Sequence, residues 1–323
     1  MRPRSDTARL KCVVTLAFIY ASILGLDCSR SPHQAEPRLE LSSSYLVVMS
    51  AYSPELARHL EHIDLEDTCV VDGNTLYFGR LADNRVILTL SGIGLERAAA
   101  ATRTLLDSFN VAGVIFSGIA GGINPALKIG DVTVPSKWGW ADGNMVPDDP
   151  GFWLEVDRQM LEVASEVSGK VALSRCTADS VCLERAPIVV AGGNGVSNSF
   201  FVDDRVYREW LWDTFRANAV DMETSAVARV ASERGVPFIA FRSLSDLAGG
   251  GPGANEIDIF FQLAADNAAA VVAAFLKAWA LSAPRKVNTT PGRSCRPMIP
   301  CQVTGPSKPG RNGSSLDDML ARW

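Results

Sequence analysis

Val111-Ala112-Gly113-Val114-Ile115-Phe116-Ser117 is a short, continuous apolar run that ends in Gly118-Ile119-Ala120-Gly121-Gly122. An apolar run of this length, bounded by glycine, reads as a fully buried strand stopped by a turn. Upstream of it, Leu95 to Phe109 carries alanines and leucines at helical spacing. Thr75 to Leu81 and Val86 to Leu90 read as strands, the second closing in Ser91-Gly92-Ile93-Gly94. Tyr45-Leu46-Val47-Val48-Met49 is another buried-type strand. A helix from Ser53 to His62 follows, with Ser53 as its cap and Pro54 in its first turn. Downstream, Asp131 to Pro135, Pro187 to Ala191 and Pro237 to Leu244 read as strands. Leu154 to Val167, Asp203 to Phe215, Met222 to Arg234 and the alanine-rich Ile257 to Leu281 read as helices, and Trp138 to Trp153 as a long loop. Strands alternating with helices imply an α/β fold with a central mixed β-sheet. Glycines recur just after strands, the edge at which open α/β sheets bind ligands.

The ends differ from this middle. Arg2, Arg4, Arg9 and Lys11 precede the apolar run Val13 to Leu26, which is short for a membrane span; together they read as a secretory signal over residues 1–28. Cys28 follows Leu24-Gly25-Leu26-Asp27, and three outcomes stay open: lipidation of Cys28, plain cleavage and release, or a retained anchor. Asp27 sits where lipoprotein signals carry a small residue, which weighs against the first. Residues 29–43 are a polar, Pro-containing linker, residues 44–283 the domain, and 284–323 a Pro, Gly, Ser, Lys and Arg-rich stretch that reads as a disordered tail. Localisation is therefore expected to be periplasmic or extracellular, with tethering through Cys28 as the variant.

Export lets the seven cysteines pair. Cys176 and Cys182 are close enough to close a small loop, worth about 2 kcal/mol on the chain-entropy model. Cys295 and Cys301 could do the same, leaving Cys69 as a buried thiol; other pairings are open. A net charge of -5 without a basic stripe excludes a nucleic-acid binder. The three histidines form no metal pattern with the cysteines, so no metal is expected, and His59 and His62 read as a solvated helix face.

Four motifs occur in order: Ser91-Gly92-Ile93-Gly94, Gly118-Ile119-Ala120-Gly121-Gly122, Asp221-Met222-Glu223 at a helix start, and Arg242-Ser243-Leu244-Ser245-Asp246 at a strand end. Each alone is weak, since a first-turn glutamate commonly just complements the helix dipole. Together, over roughly residues 45 to 280, they resemble the purine nucleoside phosphorylase and methylthioadenosine/adenosylhomocysteine nucleosidase superfamily. The stretch Gly195 to Asp203 and Val220 to Glu223 looks most like its bark storage protein branch.

The resemblance implies a three-layer sandwich of the nucleoside phosphorylase type, no cofactor, a small purine nucleoside as partner, and a homo-oligomer, dimeric or trimeric. It implies cleavage of an N-ribosidic bond through an oxocarbenium-like transition state, analogous to other glycosidic cleavages. Asp246 would protonate the leaving purine at N7, which requires a raised pKa. Glu223 would accept from the ribose hydroxyls beside the apolar face of Met222, and Arg242 would orient Glu223 or the nucleophile. Ser245 belongs to the same motif. Phe200 would stack on the purine, Ala120 and Gly121 would let backbone approach it, and Tyr52 and Ile93 would face the 5′ substituent. Asp246 rather than Asn implies adenine-type bases.

The nucleophile separates the enzymatic readings. Glu55 falls where the family's nucleosidases place the base that activates water. The phosphorylases' Gly-Asp-Pro-x-Arg segment and the Arg before the second glycine motif have no counterpart, Phe116-Ser117 preceding Gly118 here. Water is thus favoured over phosphate, with a phosphorylase as one alternative and a non-catalytic storage or nucleoside-binding protein as the other. Ile119 in place of a serine, Asn198 in place of an aspartate, and the stretch from Trp138 to Trp153, expected to cover the site, are this chain's departures from the pattern.

Overall fold

The computed structural model describes residues 44–141, 146–282 and 302–303. The expected signal, linker and Cys28 lie outside them, as does nearly all of the expected tail. In chain order the elements are β1 (Tyr45–Ser50), α1 (Ser53–His62), β2 (Asp64–Val71), β3 (Asn74–Leu81), β4 (Asn84–Leu90), α2 (Leu95–Ser108) and β5 (Val111–Gly122). Then come β6 (Val132–Val134), β7 (Lys137–Trp140), β8 (Leu154–Glu155), α3 (Arg158–Ser168), β9 (Val189–Ala191) and β10 (Asn194–Ser197). The chain continues with α4 (Arg205–Phe215), β11 (Ala217–Asp221), α5 (Thr224–Glu233), β12 (Phe238–Asp246), α6 (Ile257–Ser282) and β13 (Gln302–Val303).

The sheet is mixed and branches at β5. One edge of β5 runs parallel to β1 from Val111 to Phe116, and β1 continues through β4 and β3 to β2. Its far end, Gly121 and Gly122, pairs antiparallel with β11, leading to β10, β7 and β8. The other edge runs parallel to β12 from Val114 to Gly121, and β12 leads to β6 and β9. Leu46 and Val48 of β1 join a core with Leu56 and Leu60 of α1, Met160 and Val163 of α3, and Val272 and Phe275 of α6. Alternate residues point the other way, where Met49 meets Thr102 of α2. Strands buried on both faces and covered by helices make a three-layer sandwich, as expected. α6 is long and apolar enough to cross a membrane, but Val271, Val272, Phe275 and Leu276 are spent in the core against the sheet.

Several readings are corrected. The glycine motif at 118–122 does not turn; it is the second half of β5, because β12 and then β11 supply hydrogen-bonding partners for its backbone. The cap of α1 is Tyr52, one residue before Ser53. Trp138 to Trp153 is not one loop: Trp138 is fully buried in β7, Leu154 and Glu155 pair with it as β8, and Phe152 packs on Gly139. α3 accordingly starts at Arg158, with the Asp157 carboxylate accepting from the Met160 N–H. Strands β2, β10 and β11, not read from the sequence, complete the sheet.

The loop from Cys176 to Cys182 is closed by a disulfide, as the spacing suggested. Cys69 is not a thiol but half of a second disulfide, whose partner lies outside the described residues. The tail is also not wholly irregular, since Gln302 and Val303 add a short antiparallel strand beside Val70 and Cys69.

Candidate active site

β1, β5, β11 and β12 all deliver their C-terminal ends to one place. β1 ends at Ser50 and the chain turns into α1 through Ala51 and Tyr52, so Glu55, in the first turn of α1, lands over β5. Both Glu55 oxygens are held by backbone: Oε2 accepts from the N–H groups of Ala51 and Tyr52, each at 2.9 Å, and Oε1 from the Ile119 N–H at 2.8 Å. Burial raises its pKa, with Arg242 and these amides pulling it back. A partly raised carboxylate is a better base near neutral pH than an exposed one.

Glu223 is the cap residue of α5, directly after β11. Its Oε1 accepts from the Gly94 N–H at 2.9 Å and its Oε2 from Arg242 Nη2 at 3.2 Å. Gly94 opens α2 with φ of 96°, a conformation that favours glycine. Burial raises the Glu223 pKa, and the neighbouring Asp221 adds to the shift while Arg242 opposes it.

Arg242, on β12, is fully buried and ties the cluster together. Its Nε lies 2.8 Å from Asp221 Oδ2, Nη2 3.2 Å from Glu223 and Nη1 3.8 Å from Glu55. Burial alone would lower its pKa; the carboxylates, Asp221 foremost, outweigh that and keep it charged. Asp221 is itself saturated, accepting from Ser197 Oγ, the Thr224 hydroxyl and the Glu223 and Thr224 N–H groups. The guanidinium can approach Glu55 only because Gly118 intervenes. A Cβ there would stand 2.3 Å from Glu55 Oε1 and 2.4 Å from Arg242 Nη1.

Asp246 ends β12 on the opposite wall. Its Oδ1 accepts from the Ala248 N–H at 2.7 Å and Oδ2 from Ser245 Oγ at 2.9 Å. Burial lifts its pKa to about 6, the hydrogen bonds opposing the rise. Between these walls lies an open cleft. Glu55, Glu223, Met222, Ser245, Asp246, Ala120, Gly121, Ile93, Tyr52 and Phe200 all line it. Phe200 is half exposed at its rim. Arg242 stands behind the carboxylates rather than in the wall. Asp221, given no role from sequence, lines the cleft; its place two residues before Glu223 was the available signal. None of the described residues between Trp138 and Trp153 reaches the cleft. Asn198 is buried beside it, bonded to Tyr207.

His59 corrects the solvated-face reading. It is 2% exposed, its Nε2 lies 3.0 Å from Ser117 Oγ, and burial lowers its pKa to about 4. No group of three metal-ligating side chains occurs among the described residues.

Buried carboxylates with displaced pKa values, converging on one cleft at the carboxyl ends of the strands, define an α/β enzyme built for acid–base chemistry. The chain belongs to the phosphorylase superfamily, whose family model matches residues 45–277. It is 32% identical over 241 residues to the 5′-methylthioadenosine/S-adenosylhomocysteine nucleosidase of Tolumonas auensis, covering 71% of this chain and 97% of that one. It is 26% identical over 214 residues to the aminodeoxyfutalosine nucleosidase of Campylobacter jejuni, covering 63% and 86%. Among solved structures it resembles the 5′-methylthioadenosine/S-adenosylhomocysteine nucleosidase of Neisseria meningitidis in complex with methylthio-immucillin-A. That match has a TM-score of 0.62 and 28% identity, and covers 73% of this chain and 99% of that one.

Proposed function

We propose that this protein is a purine nucleosidase that hydrolyses the N-ribosidic bond of adenine-type nucleosides. The observation that carries hydrolysis over phosphorolysis is the charge of the cleft. Glu55, Asp221, Glu223 and Asp246 line it as carboxylic acids, and no Lys, Arg or His is among the described residues that line it. Phosphate needs cations; water needs a base. The nucleosidase relatives support the same reading.

In the proposed reaction Glu55 takes a proton from a water whose oxygen bonds to the anomeric carbon. The C–N bond breaks, its electrons pass to the purine, and Asp246 gives its proton to N7. Glu223 accepts from the ribose hydroxyls, bonds that strengthen as the sugar becomes cationic and so favour the transition state. Ala120 and Gly121 let the base lie close to β5, Phe200 flanks it, and Tyr52 and Ile93 face the 5′ end. The test is base release from adenosine, methylthioadenosine and inosine with and without phosphate. Free adenine without phosphate is expected; release only with phosphate would replace this reading by a phosphorylase, and binding without release by a nucleoside-binding protein.

We further propose that the enzyme works outside the cytosol as a homo-oligomer. The basic-apolar N-terminus and the two disulfides support export. The exposed Trp140, Phe200, Val206 and Trp210, part of them beside the cleft, support association. Intact mass of the mature protein distinguishes a lipidated Cys28 from plain cleavage, and light scattering gives the oligomeric state.

A further inference from the structure

α1 meets β5 at two rungs. Glu55 accepts from the backbone of Ile119, and His59, four residues further along the helix, bonds the side chain of Ser117, two residues earlier on the strand. Four helical residues rise about 6 Å and two strand residues about 6.6 Å, so the spacings match. Gly118 lies between the rungs and lets the helix come close. β1 accompanies β5 only as far as Phe116, so beyond that point this ladder replaces strand pairing on that edge. His59 is 2% exposed and Ser117 1%, and both are polar groups in a layer otherwise made of Leu56, Leu60 and Ile115. Burying an imidazole and a hydroxyl there is costly unless each partners the other. An aliphatic pair would fill the space at lower cost, but would not set the height of α1 on β5.

We propose that His59 and Ser117 are positioning residues for Glu55: their hydrogen bond fixes the register of α1 on β5 and so the place of the carboxylate that activates water. The inference rests on the nucleosidase reading for its kinetic consequence, but not for its geometry. His59 itself touches neither the cleft nor Asp246. Its effect should therefore fall on the water step and spare nucleoside binding, which Glu223, Met222 and Phe200 would govern.

The test is steady-state base release by His59→Leu, His59→Gln and Ser117→Ala, with melting temperature recorded for each. His59→Leu and Ser117→Ala are expected to lower kcat about tenfold with KM within about twofold, because displacement of a reacting group by a fraction of an ångström is felt in turnover. His59→Gln, which can still bond Ser117, is expected to recover most of the loss, and the double variant His59→Leu/Ser117→Ala to be no worse than either single one. An unchanged kcat in the single variants, a rise in KM alone, or His59→Gln no better than His59→Leu would overturn the proposal. Ser117→Ala carries the test if His59→Leu does not fold.

A second readout needs no turnover: the carbon-13 titration of the Glu55 carboxyl. The charged groups that act on it are Arg242 on β12 and Glu223 at the start of α5; His59, four residues along α1, has His62 as its own neighbour. Loss of the His59 rung is expected to loosen the bond from Ile119 and shift that titration; an identical curve in His59→Leu counts against positioning. Wild-type protein that releases no base overturns the hydrolase reading alone, and the titration then decides this one.

Discussion

Gly118→Ala adds one methyl group at the most crowded point of the site. The new Cβ would stand 2.3 Å from Glu55 Oε1, 2.8 Å from Glu55 Cδ and 2.4 Å from Arg242 Nη1. Non-bonded heavy atoms settle at about 3.5 Å, so both groups must retreat by about 1 Å. Neither can do so freely. Glu55 is held by three amides and Arg242 by three carboxylates. Retreat of Glu55 gives up its 2.8 Å bond from Ile119. A hydrogen bond to a charged group is worth about 1.5–3 kcal/mol, which is about 10- to 150-fold in rate. Misplacement of the base adds to that, so kcat is expected to fall at least about 100-fold. Overpacking costs about 1–3 kcal/mol, a drop of roughly 2–10 °C in melting temperature for a domain of this size. Adenine release and differential scanning fluorimetry on the same preparation read both. A folded Gly118→Ala protein within threefold of wild-type activity would refute the argument that Glu55 and Arg242 must meet through this gap.

The raised Asp246 pKa, about 6, predicts that kcat/KM falls above pH 6 by about tenfold per pH unit as the proton needed by the purine is lost; Asp246→Asn should remove that limb and lower turnover by about 10²–10⁴ while nucleoside binding, followed by calorimetry, survives. The same shift, from 3.8 to about 6, binds the proton more tightly in the folded than in the unfolded chain, so a contribution of about 3 kcal/mol present below pH 4 is lost as pH rises through 6; melting curves of wild type and Asp246→Asn, whose amide stays neutral, should lie closest below pH 4 and separate as pH rises, the wild type losing stability. Glu223→Ala is expected to raise KM and lower kcat together, about tenfold each, measured by initial rates, because it removes the ribose acceptor and one partner of Arg242. Cys176→Ser with Cys182→Ser should cost about 2 kcal/mol in denaturant unfolding and leave kcat unchanged, since the bridged loop does not line the cleft.

What could be read from sequence followed the physics of burial. β1, the middle of β4 and the first half of β12, Phe238 to Phe241, are apolar runs in buried strands, and such runs announce themselves. β2 begins Asp64-Leu65-Glu66-Asp67 and β10 is Asn194-Gly195-Val196-Ser197; neither has strand propensity, and both exist because β3 and β11 pair with them. The second half of β5 was mistaken for a turn because glycine is ambiguous: here it serves close approach to Glu55, Arg242 and Asp246, not reversal. Glu55, Leu56, His59 and Leu60 lie on one stripe of α1, so a reader who trusted the helical period would have placed both polar residues inside and looked for their partners. Asp221, Glu223 and Asp246 all stand in motifs legible in the sequence, Asp221 two residues before Glu223. What the motif does not show is that the Asp221 carboxylate bonds Arg242, a contact between β11 and β12 that only the fold creates.

One guanidinium faces three buried carboxylates, Asp221, Glu223 and Glu55, so the cluster carries an excess of negative charge whenever all three are ionised. Burial answers by raising the pKa of Glu55 and Glu223, which marks the cluster as poorly stabilised on its own. A neutral nucleoside does little to relieve this. In the proposed reaction a ribose ring acquiring positive charge would, because it would lie between Glu223 and Glu55 as its bond to the base breaks. The excess therefore opposes the resting state and favours the transition state, which is the differential that accelerates a reaction. Arg242 sets its size: with a second cation the acids would be content without substrate, and with none they would take up protons and cease to act as base and acceptor. On the proposed reading, a single arginine set behind the acids, rather than in the wall where phosphate would meet it, lets the same arrangement serve both rate and the choice of water.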